Sequence, residues 1–293
     1  MNTKKQKLLP YAAALLTVLF WSSSFPAVRY TLGYYSPEAL MLFRFLVAVL
    51  LLLGYCAVKK VPPPRARDLP AFASAGFVGL FLYMWAFNTG SVMVLSGISG
   101  FIIASSPVFT LILSMIFLKE KAGPLIWFGV LLSFGGIIII GFTQVTEMRL
   151  NSGVWLLLSA AVFTSIYNII QKIILRKYTA LQATAYSIAF GTLFMCIFIP
   201  DLIRELPGGP MSANIVVIYL AIFPGALAYF LWGYALSKAE KTVYATSFLY
   251  LSPFLASVMA FFWLGERLSL MAFLGGVVVV MGMVITNVLR GKQ

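Results

Sequence analysis

Trp21, Phe25 and Arg29 stand at i, i+4 and i+8 of one apolar stretch, and Phe163, Tyr167 and Gln171 repeat the spacing in another. Residues four apart share a helix face, so each set stacks two aromatic rings beside a polar group. Ser22, Ser24, Thr164, Ser165 and Asn168 lie next to them. Rings and hydroxyls in this order can hold a small solute by contact and hydrogen bonding without breaking a bond in it. They can also pack against neighbouring helices. The polar members favour a cavity, because polar side chains at depth prefer a bundle interior or water to lipid.

Tyr83, Trp85 and Asn88, with Tyr229, Trp232 and Tyr234, form a second group of this kind. The Asn88 amide both donates and accepts, and a buried amide without a partner is costly. It should therefore face a cavity or bond another helix. Ser96, Ser99, Ser106, Thr110 and Ser114 make a stripe whose counterparts are Thr242, Ala245, Ser252, Ala256 and Ala260. Small residues on one face serve close helix packing as readily as ligand contact. Pro107 and Pro253 each remove an N–H and tend to kink a helix. Bends are expected there, with the carbonyls of Ile103 and Leu249 freed, and both prolines are candidate hinges. Arg44 is the one charge within an apolar stretch, six residues past Glu38, about 9 Å along a helix. A long side chain can snorkel that far to the headgroups, so Arg44 reads as an anchor, with a gate or a substrate carboxylate as the alternatives.

Bond-making chemistry finds little to work with. There is no histidine, and the eight acids all fall in loops or at the ends of apolar stretches. That removes a Ser-His dyad, histidine-ligated metal and facing carboxylates for acid–base work. No GxxxxGK[ST] phosphate loop occurs, and no cofactor or metal is expected. Cys56 and Cys196 read as small buried packing residues. A proton relay usually needs a buried Asp, Glu or His, so passage of a solute without proton exchange would be the more economical reading. A cationic solute would want a buried counter-charge and a sugar phosphate several buried cations, which leaves neutral or zwitterionic solutes.

The elements that must position these residues are membrane helices. The chain is 61% hydrophobic and 10% charged, against roughly a quarter charged in soluble domains. A span needs about 20 mostly apolar residues, and ten such stretches are expected, near 9–28, 38–58, 70–90, 93–118, 123–142, 153–172, 181–200, 213–236, 242–264 and 268–289. The first is read as a helix and not as a signal peptide, because its apolar run is too long and no small-x-small site follows. With the N-terminus inside, sixteen of the 21 Lys and Arg fall in inner loops or tails and four outside. Lys and Arg gather on the cytoplasmic side, so both termini are expected there. The net charge of +13 is then a topology signal with lipid headgroups as its partner, and no nucleic acid is implied.

The chain also repeats itself. At an offset of 146, Gly79 falls on Gly225, Tyr83 on Tyr229, Ser106 on Ser252, Pro107 on Pro253, Glu120 on Glu266, Gly129 on Gly275 and Gly136 on Gly282. Such self-similarity is the mark of a repeat. Two units are expected, 1–142 and 143–293, with five spans each. Five is odd, so the second copy enters the membrane inverted, an arrangement in which the substrate site lies near the midplane between halves.

"FWSSSFPAVRY", "FRFLVA", the Ser-Pro pairs at 106–107 and 252–253, "LKEK" and "LGER", followed by "WFGVLLSFGGIIII" and "AFLGGVVVVMGMVI", resemble the EamA-type members of the drug/metabolite transporter superfamily over nearly the whole chain. The chain is similar to the ten-helix exporters of that family, those of aromatic amino acids among them. The resemblance implies an all-α integral membrane protein of the inner membrane that exports small metabolites. It also implies a central cavity formed by spans 1, 3, 4, 6, 8 and 9. On that cavity the expected substrate contacts are Trp21, Ser22, Ser24, Phe25, Tyr83, Trp85, Asn88, Ser99, Ser106, Thr164, Tyr167, Asn168, Tyr229, Trp232 and Tyr250. The alternatives are an exporter of another metabolite or drug and a lipid-handling membrane protein without solute flux.

Overall fold

The computed structural model describes residues 3–94, 96–142, 152–264 and 270–288. The expected boundary between units at 142/143, and the expected contributions of Glu147, Glu266 and Arg267, lie outside the described residues. Every regular element described is helical. In hydrocarbon each backbone N–H and C=O must find a partner within its own segment, and runs this apolar can meet that only as helices.

Helix α1 covers Thr3–Thr31 and α2 Pro37–Val58. Ser36 starts α2, its hydroxyl accepting from the Ala39 N–H at 3.2 Å, the usual N-cap arrangement with Pro following at the first turn. Then come α3 (Leu69–Gly76), a π-helical segment Phe77–Leu82 and α4 (Tyr83–Met93). Next are α5 (Ser96–Ile103), α6 (Ser106–Phe117), α7 (Pro124–Phe142), α8 (Ser152–Ile174) and α9 (Ala180–Met195). The chain continues through α10 (Ile199–Glu205), α11 (Met211–Leu220), a second π segment Ala221–Leu227 and α12 (Ala228–Lys238). It ends with α13 (Thr242–Thr246), a 3₁₀ segment Ser247–Leu251, α14 (Ser252–Leu264) and α15 (Leu270–Val288).

Seven stretches among the described residues are long and apolar enough to cross a membrane: Leu8–Thr31, Pro37–Val58, Ala66–Met93, Ser99–Phe117, Ser152–Ile174, Ala180–Gly208 and Met211–Lys238. Pro124–Gly136 and Leu274–Thr286 are shorter apolar helices. The stretch expected as one span over 242–264 is divided into α13, the 3₁₀ segment and α14. Helix α1 packs on α12 and α14, α8 packs on α4 and α6, and α2 packs on α9.

The helix breaks fall where the prolines direct. Regular helix stops at Ile103 and resumes at Ser106, with Pro107 in the first turn of α6. The 3₁₀ segment gives way to α14 at Ser252, with Pro253 next. The two π segments surround Gly79 and Gly225, which are partners in the 146-residue register. Single π turns of this sort are rare and concentrate at functional sites.

Helices α7 and α15 meet along a seam of glycines. A Cβ on Gly129 would lie 2.8 Å from Gly282 O, and one on Gly136 would lie 2.7 Å from Gly275 O. The partner number falls as the first rises, so the two helices run antiparallel. Ser133 Oγ donates to Val279 O at 3.2 Å in the middle of the seam. A Cβ on Gly282 would sit 2.5 Å from Gly129 O, whereas one on Gly135 meets nothing within 4 Å. Gly282→Ala is expected to lower stability by about 1–3 kcal/mol, the usual cost of overpacking, while Gly135→Ala leaves the detergent melting temperature unchanged. Equal melting of the two variants would show that the seam is not close-packed.

Candidate functional site

A cavity of about 590 Å³, its open mouth included, lies among α1, α2, α4, α8, α12 and the two broken elements around Pro107 and Pro253. The sequence-predicted residues Trp21, Ser24, Phe25, Tyr83, Ser106, Thr164 and Tyr229 line it. Three lining pairs are partners at the 146-residue offset: Tyr83 with Tyr229, Ile103 with Leu249, and Ser106 with Ser252.

The walls are held by aromatic contacts and a few interhelical hydrogen bonds. Trp21 meets Tyr229 edge-on at 5.3 Å and lies 5.3 Å from the Trp232 ring. Its indole N–H donates to Pro224 O at 3.0 Å. Phe25 contacts Phe87 edge-on at 5.6 Å. Behind this wall Trp232 Nε1 donates to Asn168 Oδ1 at 2.9 Å, and Asn168 Nδ2 donates to Thr110 Oγ1 at 3.4 Å. Ser165 Oγ donates to Ser106 O at 2.9 Å. The Tyr167 ring is edge-on to Tyr229 at 5.9 Å, and its hydroxyl accepts from Gln171 Nε2 at 2.5 Å. Tyr167, Asn168 and Trp232 are thus buried supports one layer behind the lining.

The remaining predicted residues fall elsewhere. Asn88 donates through Nδ2 to Pro37 O at 3.2 Å, joining α4 to the start of α2, and its Oδ1 is buried without a partner. Ser22 and Ser99 are fully buried off the cavity, and Tyr250 is buried with its hydroxyl unpartnered. Trp85 requires a correction: it is 37% exposed on the outer face of α4. Two residues on from Tyr83 is about 200° around a helix, so a Tyr83 that faces the cavity turns Trp85 away. Snorkelling of Arg44 is a second correction. Its side chain is 3% exposed and turned inward to the cavity, where Nε donates to Leu220 O at 3.1 Å. Pro224, four residues ahead, has no N–H to give that carbonyl the usual α-helical bond. The expected contacts did not include Met84, Phe87, Ile103, Ala104, Leu249 and Ser252, which also line the cavity. Phe87 follows Tyr83 by four and was readable from helical spacing; Met84 carries no such signal.

The match to known proteins decides the class. The model of the EamA-like transporter family matches this chain twice, over residues 8–142 and 151–288. The chain belongs to the EamA-like transporter family. It is 33% identical to "Uncharacterized transporter YdfC" of Bacillus subtilis, over 95% of this chain and 90% of that one. It is 34% identical to the "Probable terminal-alkyne amino-acid exporter" of Streptantibioticus cattleyicolor, over 94% of this chain and 92% of that one. A protein known from a crystal structure shares the fold at a TM-score of 0.76 and 16% identity, over 97% of this chain and 98% of the other. The protein is therefore an integral membrane transporter.

Polar ties join helices at both ends of this EamA transporter. At the end bearing the C-termini of α6, α8 and α12, the Glu120 carboxylate accepts from the Thr242 N–H at 2.8 Å and from Thr242 Oγ1 at 2.7 Å. Lys172 Nζ donates to Leu236 O at 2.8 Å and also to Ala239 O, satisfying carbonyls at the end of α12, where a cation is favoured. At the opposite end Tyr30 Oη donates to Ser212 Oγ at 2.9 Å, and the Ser36 N–H donates to Glu205 Oε2 at 2.8 Å. The Tyr35 hydroxyl donates to Asn214 Oδ1. Burial and the nearby Glu205 carboxylate push the Tyr35 phenol up from its ordinary value, which keeps it protonated and a donor.

Proposed function

We infer that the chain is an exporter of small neutral or zwitterionic metabolites, amino acids foremost, working by alternating access between two inverted five-helix repeats over 1–142 and 143–293. The observation that carries this reading is the cavity lined by register partners from both halves, as expected of a site on a pseudo-two-fold axis. The glycine seam supports it. Gly129 meets Gly282 while Gly136 meets Gly275; each glycine contacts the register partner of the other, which is the reciprocal pattern a two-fold axis imposes. The antiparallel course of α7 and α15 fits inversion. The double match of the family model supports two units. The amino-acid cargo takes its support from the aromatic walls and from the name of the Streptantibioticus relative.

On this reading Trp21, Ser24, Phe25, Tyr83, Ser106, Thr164 and Tyr229 contact the solute, and the broken helices at Pro107 and Pro253 are the hinges. Among the described residues no carboxylate lines the cavity, and the chain has no histidine, which favours facilitated efflux over proton exchange. The Lys and Arg distribution supports cytoplasmic termini in a bacterial inner membrane.

The test is efflux from proteoliposomes loaded with labelled amino acids, with and without a pH gradient. Phenylalanine flux is expected without a gradient. Trp21→Ala should reduce it about tenfold, the scale of one lost aromatic pair. Failure of every amino acid to move through folded protein overturns the amino-acid reading; flux only under a pH gradient overturns the facilitative one.

A further inference from the structure

We propose that Arg44 is the carboxylate anchor of the cavity, so that the cargo is a monocarboxylate whose apolar body lies against Trp21, Phe25 and Phe87. The proposal rests on the reading of this cavity as the transport site. Arg44 is buried, and no carboxylate comes within ion-pair distance of it among the described residues. A cation at depth is expensive unless paired, and here the protein supplies no counter-charge.

What the protein does supply is a fixed orientation. Nε is held by Leu220 O at 3.1 Å. Nη1 faces only the Met84 sulfur at 3.9 Å, a weak acceptor. The Phe45 ring lies 5.7 Å from the guanidinium carbon. Of the five N–H donors, those on Nη2 have no partner among the described residues. A guanidinium held at Nε in the lining of a cavity offers the planar fork that fits a carboxylate.

The surroundings repeat that preference. Tyr83 and Tyr229 line the same cavity, and Ser106 Oγ is buried there without a partner. All three can donate to an anion. Helices α6 and α14 both begin at the cavity, at Ser106 and Ser252, and broken-helix N-termini carry the positive end of the helix dipole toward anionic groups. One guanidinium balances one carboxylate. A phosphate dianion would be left half-neutralised, and an uncharged solute would leave Arg44 unpaired.

The experiment titrates the purified full chain in detergent with L-phenylalanine, 3-phenylpropionate and L-phenylalaninamide, following tryptophan fluorescence, for which Trp21 in the cavity wall is the reporter. Wild type should bind the carboxylates about 10- to 100-fold more tightly than the amide, the range for a hydrogen bond to a charged group. Arg44→Gln should remove that preference by weakening the acids and leaving the amide unchanged, and Arg44→Lys should restore part of it. Should Arg44→Gln fail to fold, the wild-type comparison of acid with amide and the weakened acid binding of Ser106→Ala decide the matter. An amide that binds as tightly as the acids, an acid preference that survives Arg44→Gln, or binding of none of the three overturns the proposal. Binding of 3-phenylpropionate without phenylalanine upholds Arg44 as the anchor and removes the amino-acid reading. Equal binding of phenylalanine and its amide does the reverse.

Discussion

Replacing Gly79 by alanine should leave a protein that melts well below wild type and carries no measurable flux. A Cβ at Gly79 would lie 2.2 Å from the Tyr167 ring and 2.4 Å from its Cβ. The second contact matters more, because a Cβ cannot rotate out of the way. The π segment and α8 would have to separate. Tyr167 is buried, bonded to Gln171 and edge-on to Tyr229, and Tyr229 lines the cavity. Separation at Gly79 therefore reaches the wall of the site. Overpacking costs about 1–3 kcal/mol where side chains can adjust, and this site belongs at the upper end. Its register partner behaves differently. At Gly225 the nearest atom is Leu220 O at 3.0 Å, so Gly225→Ala should destabilise less. At Gly100 the nearest is the Phe25 ring at 3.7 Å, ordinary contact, and Gly100→Ala should be silent. Melting in detergent and phenylalanine efflux order the three variants. Wild-type melting of Gly79→Ala, or greater damage from Gly225→Ala, would sink the argument.

That asymmetry marks how far the sequence can be read. The register that pairs Gly79 with Gly225 also pairs Tyr83 with Tyr229 and Ser106 with Ser252, and these last two pairs come together in one cavity. Proline position was equally legible, since it acts through the backbone of a single segment, and apolar length was legible for the seven long stretches. Contacts between segments were not. The inward turn of Arg44 goes with a bond to a carbonyl 176 positions away, and a distance to the headgroups says nothing of it. The same holds for Asn88, whose Nδ2 is bonded to Pro37 O across 51 positions. Trp85 is a different failure. Its misplacement was avoidable, because the angular spacing from Tyr83 already sends it outward.

Glu120→Ala should lower stability by about 3 kcal/mol and open the end of the molecule that Glu120 closes. The residues of "LKEK" show why. Lys119 adopts φ 56°, the left-handed conformation that ends a helix. The N–H groups of Leu118 and Glu120 both donate to Ser114 O, at 3.0 and 3.2 Å. This stop throws the Glu120 carboxylate across to Thr242, where it accepts the N–H and the hydroxyl. Thr242 is fully buried and begins α13, whose run into the 3₁₀ segment carries Leu249 and Ser252 to the cavity. The carboxylate thus fixes one half of the chain to the start of the broken element in the other. Alanine leaves two buried donors without an acceptor, at about 1–3 kcal/mol each. Glutamine keeps one acceptor oxygen but loses the charge, which roughly halves the bond strength, so Glu120→Gln should recover part of the loss. With the two ends alternating as proposed, the energy is lost from the state closed at this end, and the population shifts toward the state open there. In a chain with Cys56→Ser and Cys196→Ser, a Leu249→Cys probe should then react with a membrane-impermeant maleimide about tenfold faster in Glu120→Ala. Lower melting with unchanged labelling would make Glu120 a helix cap and nothing more. Faster labelling graded from alanine through glutamine to wild type would make the hydrogen bonds to Thr242 the latch of that end.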